Sequence, residues 1–326
     1  VQALGWLIAP TFLALVIVIA VNPVQRWLLD HGWPGWAATL VLLVVTYGVI
    51  VVFGLVVTIS LGRLASELPS YAANAQSLQA GVADTLERFG VSQQQAQQML
   101  GSFSPDGIGG LVQGLLSSLS SALSSFALLA TLLLFLTLEA SGVGARLASL
   151  SGQWEAAAGA LVSFAKGTRK YLVVTTVFGL IVATLDTIGL TLIGVPLALL
   201  WGVLTFVTNY IPNVGFFLAL IPPAVLGLVV GGWPMALGVV ALYCVVGTVV
   251  QTIIQPRVMG NSVGLSATVT FVALVFWAWL IGPLGALLAV PLTLLAKSLL
   301  VDIDPRASWL DSWLRAERPG PVTRPG

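Results

Sequence analysis

The sequence predicts an all-α membrane protein, a polytopic helical bundle with broken or re-entrant helices and an amphipathic helical segment outside the membrane. Of its 326 residues, 58% are hydrophobic and only 8% are charged, whereas a soluble domain carries about 25% charged residues. Apolar stretches of membrane-spanning length recur along the chain. One of them is interrupted by the run NYIPNVG, residues 209–215. These three observations define the fold class.

Membrane segments are predicted from the apolar stretches, because about 20 apolar residues are needed to cross a hydrocarbon core of about 30 Å. The candidates lie near residues 3–21, 36–61, 114–138, 171–193, 196–209, 214–231, 235–254, 266–281 and 284–300. The stretches 196–209 and 266–281 are short for a full crossing. Each of them, with the stretch that follows it, therefore forms either a re-entrant hairpin or two full crossings.

The run 209–215 predicts a helix break at membrane depth. Irregular backbone survives in hydrocarbon only where it is buried in protein or lines a wet cavity, since each unpaired backbone group is costly there. Proline removes a backbone donor, glycine relaxes the backbone, and the two asparagines offer hydrogen bonds. A span interrupted in this way is a pointer to a transport site. The candidate path residues in this run are Asn209, Tyr210, Pro212, Asn213 and Gly215.

Asp186 is the one carboxylate near the centre of a predicted span. A charged group at that depth is costly and usually faces the bundle interior or water. Small and polar residues, among them Thr187, share its helix face, and large apolar residues lie opposite. Two interpretations stay open. Either Asp186 and Thr187 lie on a substrate or ion path, with Asp186 binding a proton or cation, or Asp186 is a structural carboxylate that fixes helix packing.

Two further polar residues, Gln251 and Gln255, lie four positions apart on one helix face. They either join the polar path or hydrogen-bond between helices, and the second role is the commoner one. Both are kept as candidate path residues. The single cysteine, Cys244, stands among apolar residues and is interpreted as a packing residue that faces lipid or another helix.

Other classes of function find little support in the residues. The chain has one histidine and one cysteine, and no HExxH, GxSxG, P-loop or metal-spaced Cys/His motif. A net charge of +1 gives no basis for nucleic-acid binding driven by global charge. We therefore expect no enzymatic activity, no cofactor, no metal and no nucleic-acid partner. Transport then draws on a gradient or on a partner.

The distribution of Lys and Arg predicts the orientation. Placing the C-terminus in the cytoplasm leaves only Arg63 and Arg88 of the 13 basic residues outside. Residues 1–61 then hold the N-terminal spans, 62–112 an amphipathic helical segment, 113–300 the transport core and 301–326 a cytoplasmic tail. The segment 62–112 is either a lid over the path or a surface helix pair, the second being favoured. Because the chain begins abruptly in an apolar region, we expect a further span upstream.

Four ordered motifs resemble those of a known family. They are NYIPNVG at 209–215, IPPAVLGLVVGG at 221–232, QPRVMGNSVGLSA at 255–267 and GPLGALLAVPLTLLAK at 282–297. On these motifs the chain is identified as a member of the autoinducer-2 exporter (AI-2E) family of bacterial inner-membrane transporters. Outside the path, the family's structural motif positions fall here on Pro222, Pro223, Pro256, Gly260, Gly282, Gly285 and Pro291.

The resemblance implies two functions. Some members are linked to export of autoinducer-2 and others are described as sodium–proton antiporters, so export of a small polar metabolite and cation–proton antiport both stay open. A non-transporting membrane scaffold is less favoured, because a scaffold has no need to place unpaired backbone in lipid. The resemblance also implies a lipid-embedded homo-oligomer, such as a pentamer, in the bacterial inner membrane.

The orientation predicts the outcome of a topology experiment. A reporter fused after Arg324 should read cytoplasmic, and an epitope inserted near Gln95 should be reached from outside in intact cells. The opposite result at both sites would invert the predicted topology, and a mismatch at one site would indicate a miscounted span.

Overall fold

The computed structural model describes residues 5–88, 128–139, 154–255 and 266–303, with the single positions 142, 146 and 149. Within these residues all regular structure is helical, which confirms the predicted all-α fold. The helices are α1 (Gly5–Asp30), α2 (Gly35–Arg88), α3 (Leu128–Glu139), α4 (Glu155–Ile193), α5 (Ala198–Thr208), α6 (Gly215–Val246), a π-helix (Gly247–Ile254), α7 (Ala267–Ile281), α8 (Pro283–Leu287) and α9 (Ala289–Leu300).

Long apolar helices make up the membrane bundle. Among the described residues, four helical segments are long and apolar enough to cross a membrane, namely Leu7–Asp30, Gly35–Ser60, Glu155–Ile193 and Gly215–Ile254. Helix α4 begins well before the predicted start of its span. Lys166, Arg169 and Lys170, which precede the predicted stretch 171–193, lie inside α4. The Ala-rich residues 155–165 extend the helix, and long basic side chains can reach the interface from within it.

Helix α6 is a hairpin of two arms, 215–231 and 233–246, that meet at Gly232. Gly232 has φ 67° and ψ −164°, which no helix contains. A Cβ atom placed on Gly227 would lie 3.5 Å from Cγ2 of Val239, although twelve residues of straight helix would separate them by about 18 Å. The chain therefore reverses at Gly232. The arms agree with the separate stretches 214–231 and 235–254 expected from the sequence.

A second hairpin joins α7 to α8 and α9. Gly282 takes φ 82° at the turn, a left-handed value that favours glycine. Gly285 lies so close to the carbonyl oxygen of Trp277 that no side chain fits there. The indole Nε1 of Trp277 donates to Thr293 Oγ1 at 3.0 Å and ties the two arms together. Glycines thus occupy the turn where the backbone requires them.

Helices α4 and α5 form the third antiparallel pair, and they touch along a glycine contact. Helix α4 ends at Gly194, whose φ of 87° lets its N–H bond to the Leu190 carbonyl at 3.1 Å. A Cβ atom on Gly202 would collide with Thr187 Oγ1 and lie 3.0 Å from the Ala183 carbonyl oxygen. The absence of a side chain at Gly202 therefore sets the distance between the two helices.

Arg169 and the membrane part of α2 lie toward opposite ends of α4. The guanidinium of Arg169 donates to the carbonyl oxygen of Ile19 at 3.3 Å, which places the middle of α1 beside it. A Cβ atom on Gly167 would lie 3.6 Å from Leu294, so the middle of α9 reaches the same level. Val57, near the membrane end of α2, packs instead against the cluster around Leu190 at the opposite end of α4.

Residues 62–88 of the predicted amphipathic segment continue α2 without a break. At about 1.5 Å per residue, a 54-residue helix is about 81 Å long, far more than a hydrocarbon core of about 30 Å. Residues 89–112, Pro256, Gly260, the first part of the stretch 114–138 and the tail beyond 303 lie outside the described residues.

The α4–α5 contact generates a stability prediction. Gly202→Ala should destabilise the detergent-solubilised protein by about 1–3 kcal/mol, because the added methyl group overpacks the helix interface. The measurement is thermal unfolding.

Gly159→Ala is the matched control, since a Cβ atom at this α4 position meets nothing within 4 Å. Adding Thr187→Ala to Gly202→Ala should restore part of the loss by removing the colliding hydroxyl group. Equal stability of the Gly202→Ala and Gly159→Ala proteins would refute the close contact.

Candidate functional site

A cavity of about 690 Å³ lies between α4, α5, both arms of α6 and the π-helix. It is lined by residues from each of the polar features noted in the sequence. The predicted residues in its wall are Asp186, Asn209, Pro212, Asn213, Gly215, Gln251 and Gln255. The fold therefore collects side chains that lie as much as 69 positions apart in the sequence around one space, which we call the main cavity.

The predicted break forms one wall of the main cavity. Helix α5 ends at Thr208 and α6 begins at Gly215, with an irregular stretch between them. Asn213 takes φ 64°, a left-handed conformation that Asn tolerates better than most residues. A Cβ atom on Gly215 would collide with the carbonyl oxygen of Thr208. Glycine is thus required where α6 turns back against the end of α5.

The first turn of α6 borders the main cavity through Gly215 and Phe216. Among the described residues, the backbone N–H group of Phe216 has no backbone acceptor. The N-cap residue, Val214, has no side chain that can cap the helix. A helix start with orphan N–H groups carries a partial positive charge and favours a polar acceptor or an anionic atom. This turn can therefore bind an oxygen atom of a solute.

Asn209 connects the break to two other elements. Its Nδ2 donates to the Thr175 carbonyl oxygen of α4 at 3.0 Å, and its Oδ1 accepts from Gln251 Nε2 at 2.9 Å. Gly179 leaves room for the amide, because a Cβ atom there would lie 2.8 Å from Nδ2. Gln251 therefore makes a side-chain hydrogen bond to a neighbouring element, and it also lines the main cavity.

Asp186 is fully buried in the wall of the main cavity. Among the described residues, neither of its carboxylate oxygens has a hydrogen-bond partner. Thr205 lies beside the carboxyl group without meeting hydrogen-bond geometry, and its hydroxyl group is 3.2 Å from the hydroxyl group of Tyr243. An isolated buried carboxylate is costly unless it is protonated or bound to a cation. This arrangement favours the ion-path interpretation, because a structural carboxylate would be hydrogen-bonded.

Two predicted path residues lie elsewhere. Thr187 does not line the main cavity: its hydroxyl group donates to the Ala183 carbonyl oxygen at 2.7 Å and faces α5 at the glycine contact. The hydroxyl group of Tyr210 lies 2.6 Å from that of Thr176 on the side of a second cavity. Only the backbone of Tyr210 connects to the main cavity, through a 2.9 Å hydrogen bond from Tyr171 to its carbonyl oxygen.

The described structural motif residues lie within helices and at a turn. Pro222 and Pro223 lie within the first arm of α6, Gly282 and Gly285 lie at the turn of the second hairpin, and Pro291 is fully buried in α9. None of them lines the main cavity.

Several lining residues were missed from the sequence. They are Tyr171, Thr175, Thr205, Thr208, Tyr243, Cys244, Thr248 and Thr252. A signal existed for some of them, because Cys244, Thr248 and Thr252 repeat at intervals of four beside the Gln pair. In the π-helix that follows α6, hydrogen bonds run to the fifth residue, and this wide turn is frequent at functional sites. Cys244, interpreted from the sequence as a lipid- or helix-facing residue, is exposed and belongs to the lining of the main cavity.

Interrupted membrane helices around a polar cavity that holds one buried carboxylate define a membrane transport protein. The family model for the AI-2E family transporter matches residues 3–303. The AI-2 transport protein TqsA of Escherichia coli K12 is 32% identical over 291 residues, covering 89% of this chain and 84% of TqsA. The chain therefore belongs to the AI-2E transporter family.

Two other relatives bear on the comparison. YhhT of Escherichia coli K12 is 29% identical over 297 residues, covering 91% of this chain and 85% of YhhT. A sodium-lithium/proton antiporter of Halobacillus andaensis is 30% identical over 109 residues, or 33% of this chain and 30% of the antiporter. The first two similarities extend over nearly the whole chain, whereas the antiporter similarity is partial.

The natural cysteine tests whether the main cavity contains water. Cys244 should react with a small, charged, membrane-impermeant thiol reagent, because water in the cavity supports the reactive thiolate. Labelling is read by mass spectrometry of the protein in proteoliposomes.

Cys244→Ala should remove the label, and Val239→Cys in that background is the control for a buried site, since Val239 is fully buried. Reaction of Cys244 only with a membrane-permeant reagent would mean that the cysteine faces lipid and that the cavity is closed to water.

Proposed function

We propose that this protein is a secondary transporter that moves a small polar metabolite or signalling molecule out of the cell, with Asp186 taking up the coupling proton or cation. The main cavity carries this proposal, because it joins uncharged polar groups and one unpartnered buried carboxylate in a single space. Its volume of about 690 Å³ lies within the usual range of small-molecule sites, about 300–1,000 Å³.

The chemistry of the wall supports a polar, hydroxyl- or carbonyl-bearing solute. The amide groups of Asn213 and Gln255 can donate and accept hydrogen bonds, and the first turn of α6 can bind an oxygen atom. Among the described residues in the wall, Asp186 is the only carboxyl group and no Lys or Arg is present, so an anionic solute finds no counter-charge for recognition. The name of TqsA, an AI-2 transport protein, supports a signalling molecule of this kind.

A cation–proton antiporter is the second candidate, and Asp186 favours it. A carboxylate without hydrogen bonds can exchange a proton for a small cation, with the hydroxyl groups of Thr205 and Tyr243 as further oxygen ligands. The partial similarity to a sodium-lithium/proton antiporter supports the same idea. The two candidates differ in whether the remaining cavity carries a solute. A scaffold role has no observation of this kind in its favour.

We further propose a multi-pass location in the bacterial inner membrane with the C-terminus in the cytoplasm, and assembly as a homo-oligomer such as a pentamer. The proximity of Arg26 of α1 to Arg169 of α4 supports this orientation, since basic residues favour the cytoplasmic side. Large exposed apolar side chains, such as Trp36 and Leu192, supply surface for contact with lipid or with other subunits.

Asp186→Asn tests the coupling role. Gradient-driven flux per folded molecule in proteoliposomes should fall at least tenfold, about 1.4 kcal/mol, because Asn keeps the size of the side chain and cannot titrate. Labelled solute and sodium are measured in parallel under an imposed proton gradient, so that the two candidates give different results.

Expression and thermal stability should barely change, since a neutral amide costs less at this depth than an ionised carboxylate. Glu155→Gln, an exposed position at the start of α4, is the control and should keep full flux. Normal coupled flux in the Asp186→Asn protein would exclude the coupling role. A loss of folded protein in proportion to flux would indicate a structural carboxylate instead.

A further inference from the structure

A second cavity, of about 220 Å³, opens between α1, α4, the end of α5 with the adjoining break, and the junction of α8 with α9. Its wall is apolar: α1 contributes the helix face from Leu13 to Ala20, and α4 contributes Leu172. The hydroxyl groups in its lining belong to Thr176 and Tyr210, and they hydrogen-bond to each other at 2.6 Å. An apolar cleft whose hydroxyl groups are already paired suits a hydrocarbon chain better than a polar solute.

Arg169 lies directly beyond this cleft. It precedes Leu172 by three residues and Thr176 by seven, so all three side chains lie on one face of α4. Its guanidinium donates to the carbonyl oxygen of Ile19 at 3.3 Å and to Oδ1 of Asn22 at 3.4 Å, both in α1. The same two helices that form the cleft therefore hold a fixed cation at its end.

Three further cations lie near Arg169. Lys166 precedes it by three residues in α4 and Lys170 follows it directly, and both are exposed. Arg26 of α1 lies within electrostatic range of Arg169. Between described residues, no carboxylate forms an ion pair with any of these four side chains. Asp30, one turn beyond Arg26, is not paired with it. Like charges at close range repel, so the cluster is complementary to an anion.

We propose that the cluster and the cleft form one binding site for an anionic glycerophospholipid. The headgroup phosphate binds between Arg26, Arg169 and Lys170, and one acyl chain enters the cleft toward Tyr210. Both parts of the site are needed for this assignment. A free phosphate has no use for the apolar cleft, and a zwitterionic lipid gains little from an uncompensated cluster of cations.

Tyr210 is the point at which the proposed lipid contacts the helix break. This residue follows Asn209, and its carbonyl oxygen accepts the hydrogen bond from Tyr171, which lines the main cavity. An acyl chain packed against Tyr210 thereby stabilises the break from outside the path. The lipid site does not depend on which solute is transported.

The experiment is a thermal-shift titration of the detergent-solubilised protein with short-chain phosphatidylglycerol. Phosphatidylcholine of the same chain length and inorganic phosphate are titrated in parallel. Phosphatidylglycerol should raise the unfolding temperature saturably, and the other two should not. Arg26→Gln and Lys170→Gln should each weaken the apparent affinity about fivefold, which corresponds to about 1 kcal/mol per basic residue near an anionic lipid surface.

Variants separate the two parts of the site. Ala20→Trp fills the cleft without changing charge and should weaken phosphatidylglycerol binding, whereas Arg63→Gln, at the other end of the bundle, should leave it unchanged. Lys170 is exposed and makes no described hydrogen bond, so Lys170→Gln remains decisive if Ala20→Trp unfolds the protein. Equal shifts by phosphatidylcholine, a full shift by inorganic phosphate, or wild-type affinity in the Lys170→Gln protein would each overturn the proposal.

Discussion

The need to satisfy backbone polar groups at membrane depth is the constraint on which this structure depends. Between Thr208 and Gly215 the helix is interrupted in an apolar part of the chain, and the freed groups must find partners. The Ile211 N–H bonds to the Thr208 carbonyl oxygen at 2.8 Å, and the Gly215 N–H bonds to that of Ile211 at 3.0 Å. Tyr171 supplies a side-chain donor to Tyr210. The break is thus held by a compact turn and by α4.

The same partners that support the break also create the site. Asn209 hydrogen-bonds to both α4 and the π-helix. The break, α4 and the π-helix are therefore held around a common polar space. The first turn of α6, where the Phe216 N–H group has no backbone acceptor among the described residues, borders that space. Asp186 differs from all of them, because its carboxylate is buried without a partner. Because no described residue offsets the desolvation cost of this carboxylate, binding a proton or a cation stabilises it.

Close backbone approaches make the arrangement compact. Gly202 brings α5 against α4, Gly215 brings α6 against the end of α5, and Gly285 closes the second hairpin. Small residues have this role between membrane helices, where packing replaces the hydrophobic effect as the source of association. The break between α5 and α6 lies against the middle of α4, where the hydroxyl group of Tyr210 hydrogen-bonds to that of Thr176. One helix therefore contacts the main cavity, the apolar cleft and the basic cluster.

The membrane fold, the break at 209–215 and the carboxyl and amide side chains around the main cavity could be predicted from the amino-acid sequence. Polar residues in apolar surroundings are rare, so Asp186, Asn209 and Gln251 stand out without a structure. The sequence did not predict which helix face contacts which neighbour, because that depends on packing between distant segments. Successive residues of a helix point about 100° apart, so Thr187 faces α5 while Asp186 faces the cavity. Tyr243 and Cys244 became cavity residues because the chain reverses at Gly232, a long-range contact that no local pattern encodes.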